Sequence, residues 1–201
     1  VRDEKRKDTE SGSTGARITW DKIFGSQFEV KLSTREKDID DENSGQWLVD
    51  QGEITAAETK LLDREGDIMR ADLGYMIIID DGTHIIRPSV AYIDRDLDGD
   101  AMAQDGYEVA LSYAYQTQGF RWVNNVLFQS LEGDKENPIF TDVRDEDVFG
   151  VATQIFFPGA FGLDKWTPNV SAIWSECDND IDFNDSKGLM IQVGMFRNFD
   201  F

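Results

Sequence analysis

The chain has 201 residues, and 40 Asp and Glu against 20 Lys and Arg give it a formal net charge of −20. That length fits one domain or at most two small ones. The charge excludes a nucleic-acid binder and a polybasic membrane-surface domain, both of which need a basic face. One His (His84) and one Cys (Cys177) exclude a His/Cys zinc site and an intrachain disulfide.

Mean hydropathy is −0.47, and no run approaches the roughly 18 consecutive apolar residues of a spanning helix. A membrane β-barrel escapes that test, because lipid-facing and lumen-facing residues alternate and average out. The chain starts at Val1 without a charged-then-apolar signal segment, so either a leader has been removed or the sequence starts inside a longer precursor.

Residues 1–14 are charged, small and aperiodic, and read as a solvated loop or tail, leaving 15–201 as the folded domain. Ile18 and Trp20 then face Phe28, Val30 and Leu32 across a tight turn at Phe24-Gly25-Ser26. After an acidic stretch at 36–52, residues 48–64 fit a short helix by composition and a strand by the spacing of Ile54, Ala56 and Glu58. From Leu73 onward the period is two. Leu73, Tyr75, Ile77 and Ile79 precede the turn Asp80-Asp81-Gly82-Thr83, and Ile86, Pro88, Val90 and Tyr92 follow it. The clearest strand alternates Tyr107, Val109, Leu111, Tyr113 and Tyr115 with Glu108, Ala110, Ser112, Ala114 and Gln116. Phe120, Trp122, Val126 and Phe128 come next, then Phe149, Val151, Ile155 and Phe157, then Trp166, Val170, Ala172 and Trp174. The last strand carries Leu189, Ile191, Val193 and Met195, then Phe199 and Phe201.

Tight turns (24–26, 80–83, 117–119, 158–162) alternate with long acidic connections (36–52, 94–106, 132–147, 177–187). That is an antiparallel up-and-down meander with unlike ends, as in a transmembrane β-barrel with short periplasmic turns and long external loops. Strands of about ten residues suit a tilted bilayer crossing. Trp20, Tyr92, Tyr107, Tyr115, Trp122 and Trp166 lie near strand ends, where aromatic girdles belong. About nine strands are visible. Bacterial single-chain barrels have even counts, so either 53–65 adds a tenth strand or, as we prefer, the chain is the C-terminal part of a larger barrel.

The final strand, ending on Phe201, resembles the terminal strand of bacterial outer-membrane proteins. That resemblance implies that Phe199 and Phe201 form a signal read by the barrel-assembly machinery. Further resemblance rests on Asp105-Gly106-Tyr107, Asn137-Pro138-Ile139-Phe140, Arg144, Asp145, Gly150, Trp166 and the stretch Asn179–Asp185. Over roughly residues 66–201 the chain resembles an uncharacterised family of outer-membrane barrels, domain of unknown function 2860. Asn179–Asp185 also resembles a pattern in the barrels of surface-lipoprotein assembly modifiers, with Asn184 where that pattern has Tyr. The family implies an outer-membrane barrel in a Gram-negative bacterium and supplies no activity.

The sharpest local motif is Asp94-Arg95-Asp96-Leu97-Asp98-Gly99-Asp100, continuing to Asp105. It matches the first half of a calcium loop, with Asp94, Asp96, Asp98, Asp100 and Asp105 as candidate oxygen ligands. The same residues also fit a plain solvated acidic hairpin. His84 sits by a tight turn, Cys177 lacks a basic neighbour, and no Gly-x-Ser-x-Gly or phosphate loop occurs, so catalysis is not expected. Asp72, Glu108, Ser112, Gln116, Arg121, Asn125, Gln129, Gln154 and Gln192 are expected on one inward, polar face.

The expected function is a porin-like or structural outer-membrane barrel. Its expected partners are membrane lipid, lipopolysaccharide and the assembly machinery, with a partner protein or second copy besides, and no nucleic acid. The alternatives are a scaffold for a surface partner or lipoprotein export, and a soluble acidic calcium-binding β-protein.

Overall fold

The computed structural model describes residues 9–23, 26–39, 46–162 and 165–197. Phe199 and Phe201 lie outside them, as do Phe24 and Gly25 of the first expected turn. The long strands are β1 (Thr9–Ile23), β2 (Ser26–Ile39), β3 (Gly66–Ile79), β4 (His84–Leu97), β5 (Gln104–Thr117) and β6 (Phe120–Gly133). After the two-residue strands β7 (Glu136–Asn137) and β8 (Asp142–Val143) come β9 (Glu146–Phe156), β10 (Trp166–Asn179) and β11 (Ser186–Arg197). Nine strands form one antiparallel sheet in the order β1-β2-β3-β4-β5-β6-β9-β10-β11, while β7 and β8 pair as a separate ribbon. The fold is therefore an all-β up-and-down meander. Among the described residues β1 and β11 are its two edges and do not pair.

Three expectations change at their boundaries. The strand begins at Thr9, not after residue 14, because Thr9–Thr14 pair residue by residue with Ile39–Thr34. Backbone hydrogen bonds hold that ladder without any apolar alternation to betray it, and Arg35 Nη2 donates to Ser11 Oγ at 3.2 Å across it. For the same reason the acidic loops are shorter than charge suggests. β4 runs on to Leu97 and β5 starts at Gln104, so Asp94, Asp96 and Asp105 belong to strands. Lastly, 53–65 adds no strand. A 3₁₀ turn at Glu58–Leu62 occupies that region, after a short helix, α1 (Gln46–Gln51). Thr55 decides it: its backbone N–H and Oγ1 both donate to Glu58 Oε2, and Glu58 N–H donates back to Thr55 Oγ1. This is a reciprocal capping box. The two Thr55 bonds to the ionised form hold the Glu58 carboxyl below the usual carboxylate range.

Parity gives the sheet two unlike faces. On one, residues lie directly opposite each other in the continuous row Ile18–Val30–Leu73–Val90–Val109–Phe128–Phe149, spanning seven strands. A second row runs Leu111–Val126–Val151–Trp174–Leu189. These side chains point away from any core: Ile18, Val90, Val109 and Leu111 are each about half exposed, and Val193 on the edge strand is 81% exposed. The packed core lies at the long-loop end. Its largest fully buried side chains are Leu131 and Gln104, accompanied by Ile54, Met102 and Ile181.

Candidate functional site

The second face is polar, and its charges pair in a repeated way. Arg70 on β3 donates through Nη1 and Nη2 to Glu108 on β5 at 3.0 and 2.6 Å, and through Nε to Asp72 at 2.8 Å. The bond passes over β4. It can do so because the residue between Asp72 and Glu108 in register is Ala91, buried and too short to obstruct. Glu29 on β2 likewise accepts from Arg87 Nη2 on β4 at 2.7 Å. The residue between is Gly74, where an added Cβ would stand 3.5 Å from Arg87 Nε. Arg17 on β1 also pairs with Glu29. Two triads result, Arg17–Glu29–Arg87 and Asp72–Arg70–Glu108, each built from long charged side chains reaching across a small residue. Bidentate arginine pairs fix geometry as well as charge.

Between the triads lies a cavity of about 620 Å³ whose lining includes Lys31, Asp72, Ser112 and Asn125. Asp72 Oδ2 is buried there without a hydrogen-bond partner among the described residues, so one acceptor remains for water or a polar solute. Every residue expected on the polar face shares its parity through the ladder, from Asp72–Ala91–Glu108–Gln129 to Gln192–Ser171–Gln154. Arg17, Glu29, Arg70 and Arg87 were not among them. The signal existed: Glu29 and Lys31 alternate with Val30 and Leu32, and Arg70 stands two residues before Asp72.

The expected calcium ligands do not converge. Asp94 faces Asp105 across the ladder, and Asp96 faces Asp67, all on the apolar-face side beyond Tyr92 and Tyr107. Asp105 Oδ2 accepts from Tyr92 Oη at 3.1 Å. Asp100 is ion-paired with Lys135. Asp98 turns the other way, to Asp63 and Glu65, whose carboxylate oxygens lie with its own inside 4.8 Å. The loop docks there because Asp98 N–H donates to Glu65 O and Ala101 N–H to Leu61 O, at 2.9 and 3.1 Å. Asp63 and Glu65 precede the motif by some thirty residues, so no local pattern could have named them.

His84 opens β4, with Nδ1 2.9 Å from Tyr113 Oη and its ring against Tyr115. Cys177 is a half-buried free thiol opposite Val148 and Ser186.

The family described as protein of unknown function, DUF2860, matches residues 1–197. The chain belongs to that family. The match reaches back through the first third of the sequence, where none of the resembling motifs lies. No curated protein and no solved structure matches the chain.

Proposed function

We propose that the chain is a β-barrel protein of the bacterial outer membrane, porin-like and without catalysis, which passes small polar solutes along its ion-paired face. The observation that carries this reading is the row of seven apolar side chains facing outward in unbroken register from Ile18 to Phe149. In water such a face is a liability, since soluble monomers rarely expose contiguous apolar patches beyond a few hundred Å². In lipid it is the required surface.

Aromatic placement supports the same reading. Tyr92 and Tyr107 border the rows on the loop side, and Tyr113, Tyr115, Phe120, Trp122 and Phe157 on the turn side. Tyr107 and Tyr115 are about 26 Å apart along the strand, or ~20 Å after a tilt of about 40°. Outer-membrane apolar bands stand about 25 Å tall. On this reading Asp67, Asp94, Asp96 and Asp105 stand at headgroup height, where divalent ions can bridge them to anionic lipopolysaccharide.

Conductance across a planar bilayer is the test. Stable unit steps are expected. A protein that inserts without steps is a structural barrel and not a pore, and one that partitions into water without detergent contradicts the membrane reading itself.

A further inference from the structure

A second cavity, about 610 Å³, lies at the long-loop end of the polar face. Lys37, Arg64, Arg95 and Arg144 all line it, and among the described residues no Asp or Glu does. In a chain with twice as many acidic as basic residues, four cations around one cavity oppose the overall composition. They also come from four separate places, the ends of β2 and β4, the segment before β3 and the segment before β9.

Among the described residues the one carboxylate ion-paired to any of them is Glu146, which also faces Arg95. Arg144 Nη2 pairs with Glu146 at 3.1 Å, but its Nε is buried without a hydrogen-bond partner among the described residues. Among the described residues Arg95 Nη1 donates to a neutral group, Gln104 Oε1, at 2.8 Å, and Gln104 Nε2 is committed to Arg144 O at 2.7 Å. Lys37 and Arg64 have no ion-pair partner among the described residues. Like charges held this close repel one another, at a cost that a bound anion removes.

Apart from Gln104, Asn137 and Asn184, the rest of the lining is apolar. Leu62, Leu97 and Met102 are half-buried or buried, and Ile139 and Phe140 are exposed at the rim. A volume of this size suits a small organic molecule. An inorganic ion would leave the apolar wall in water, and an uncharged solute would leave the cations unpaired.

We infer that this cavity binds a small organic anion, an apolar body carrying more than one carboxylate, sulfonate or phosphate group. The inference goes beyond the function proposed above, because it requires neither a bilayer nor a pore.

The test is calorimetric titration of the full chain in maltoside detergent, with empty micelles as reference and naphthalene-2,6-disulfonate as probe. Saturable binding with one site per chain is expected, weakening at least tenfold in the double variant Lys37→Ser, Arg64→Ser. Those two residues make no ion pair among the described residues, so their loss leaves the fold's pairing intact, and an unchanged thermal transition checks this. Sulfate binding as tightly as the probe overturns the amphipathic ligand, and 2,6-bis(hydroxymethyl)naphthalene binding as tightly overturns the anionic one. No saturable binding, or equal binding by the folded double variant, overturns the site. None of these outcomes bears on conductance, so this inference and the pore reading fail separately.

Discussion

At the scale of single residues, small side chains and charged ones act together on the polar face. Arg70 reaches Glu108 only because Ala91 lies beneath the bond. Both partners are more than half buried, so removing Arg70 leaves Glu108 desolvated without it, and removing Glu108 leaves Arg70 held by Asp72 alone of the triad. Glu108→Ala should therefore cost about 2 kcal/mol, with Asp72 retaining part of the Arg70 charge. A double-mutant cycle with Arg70→Ala, read by urea unfolding in detergent, measures the coupling, and additive losses would mean that the pair is not coupled. Gly106 is the sharper case. A Cβ there would stand 2.0 Å from Ser130 O and 2.9 Å from Leu131 Cα, both backbone. Gly106→Ala should cost about 1–3 kcal/mol through forced backbone shifts, seen as a lower urea midpoint at unchanged slope.

At the scale of elements, the sequence disclosed strands wherever apolar and polar residues alternate. Tyr107–Tyr115 could be placed, faced and given a parity without coordinates, and from it the whole polar face follows. Alternation was silent where both faces are polar. Thr9–Thr14 and Asp94–Leu97 are strands by ladder pairing alone, which charge and composition misread as loop. The region 48–64 was ambiguous because its helical composition and its Ile54-Ala56-Glu58 spacing point to different structures. Its outcome turns on the Thr55–Glu58 box.

That box makes a pH prediction. Folding lowers the Glu58 pKa below its ordinary value of 4.5, so its contribution is present above that value and is lost as pH falls through the folded one. As pH falls below that ordinary value, amides of residues 58–62 should lose hydrogen-exchange protection before those of β5, and Glu58→Gln should abolish that pH dependence. Retained dependence in the variant would assign it to another group.

At the scale of the whole molecule, the loop-end sites were illegible in sequence for one reason. Asp98 with Asp63 and Glu65, and Lys37 with Arg64, Arg95 and Arg144, are assembled by the meander from residues far apart in the chain. Strand parity says which face a residue takes, but not which loops fold over the end of the sheet. The two faces themselves were legible, and on the membrane reading they respond oppositely to charge. Leu111→Arg, midway between Tyr107 and Tyr115 on the apolar face, should cost about 2–4 kcal/mol in vesicles, while Gln129→Arg, opposite Glu108 on the polar face, should cost under about 1 kcal/mol. Equal small losses at both positions would show that water bathes both faces.

The most direct measurement is collisional accessibility of a nitroxide spin label on the chain in lipid vesicles. In a Cys177→Ser background, labels at Val109→Cys and Ser112→Cys sit on one strand but on opposite faces. At Val109 relaxation by oxygen, which concentrates in lipid, is expected to exceed that by a water-soluble nickel chelate. At Ser112 the order is expected to reverse. A nickel-dominated label at Val109 would contradict a lipid-facing apolar row and with it the membrane barrel.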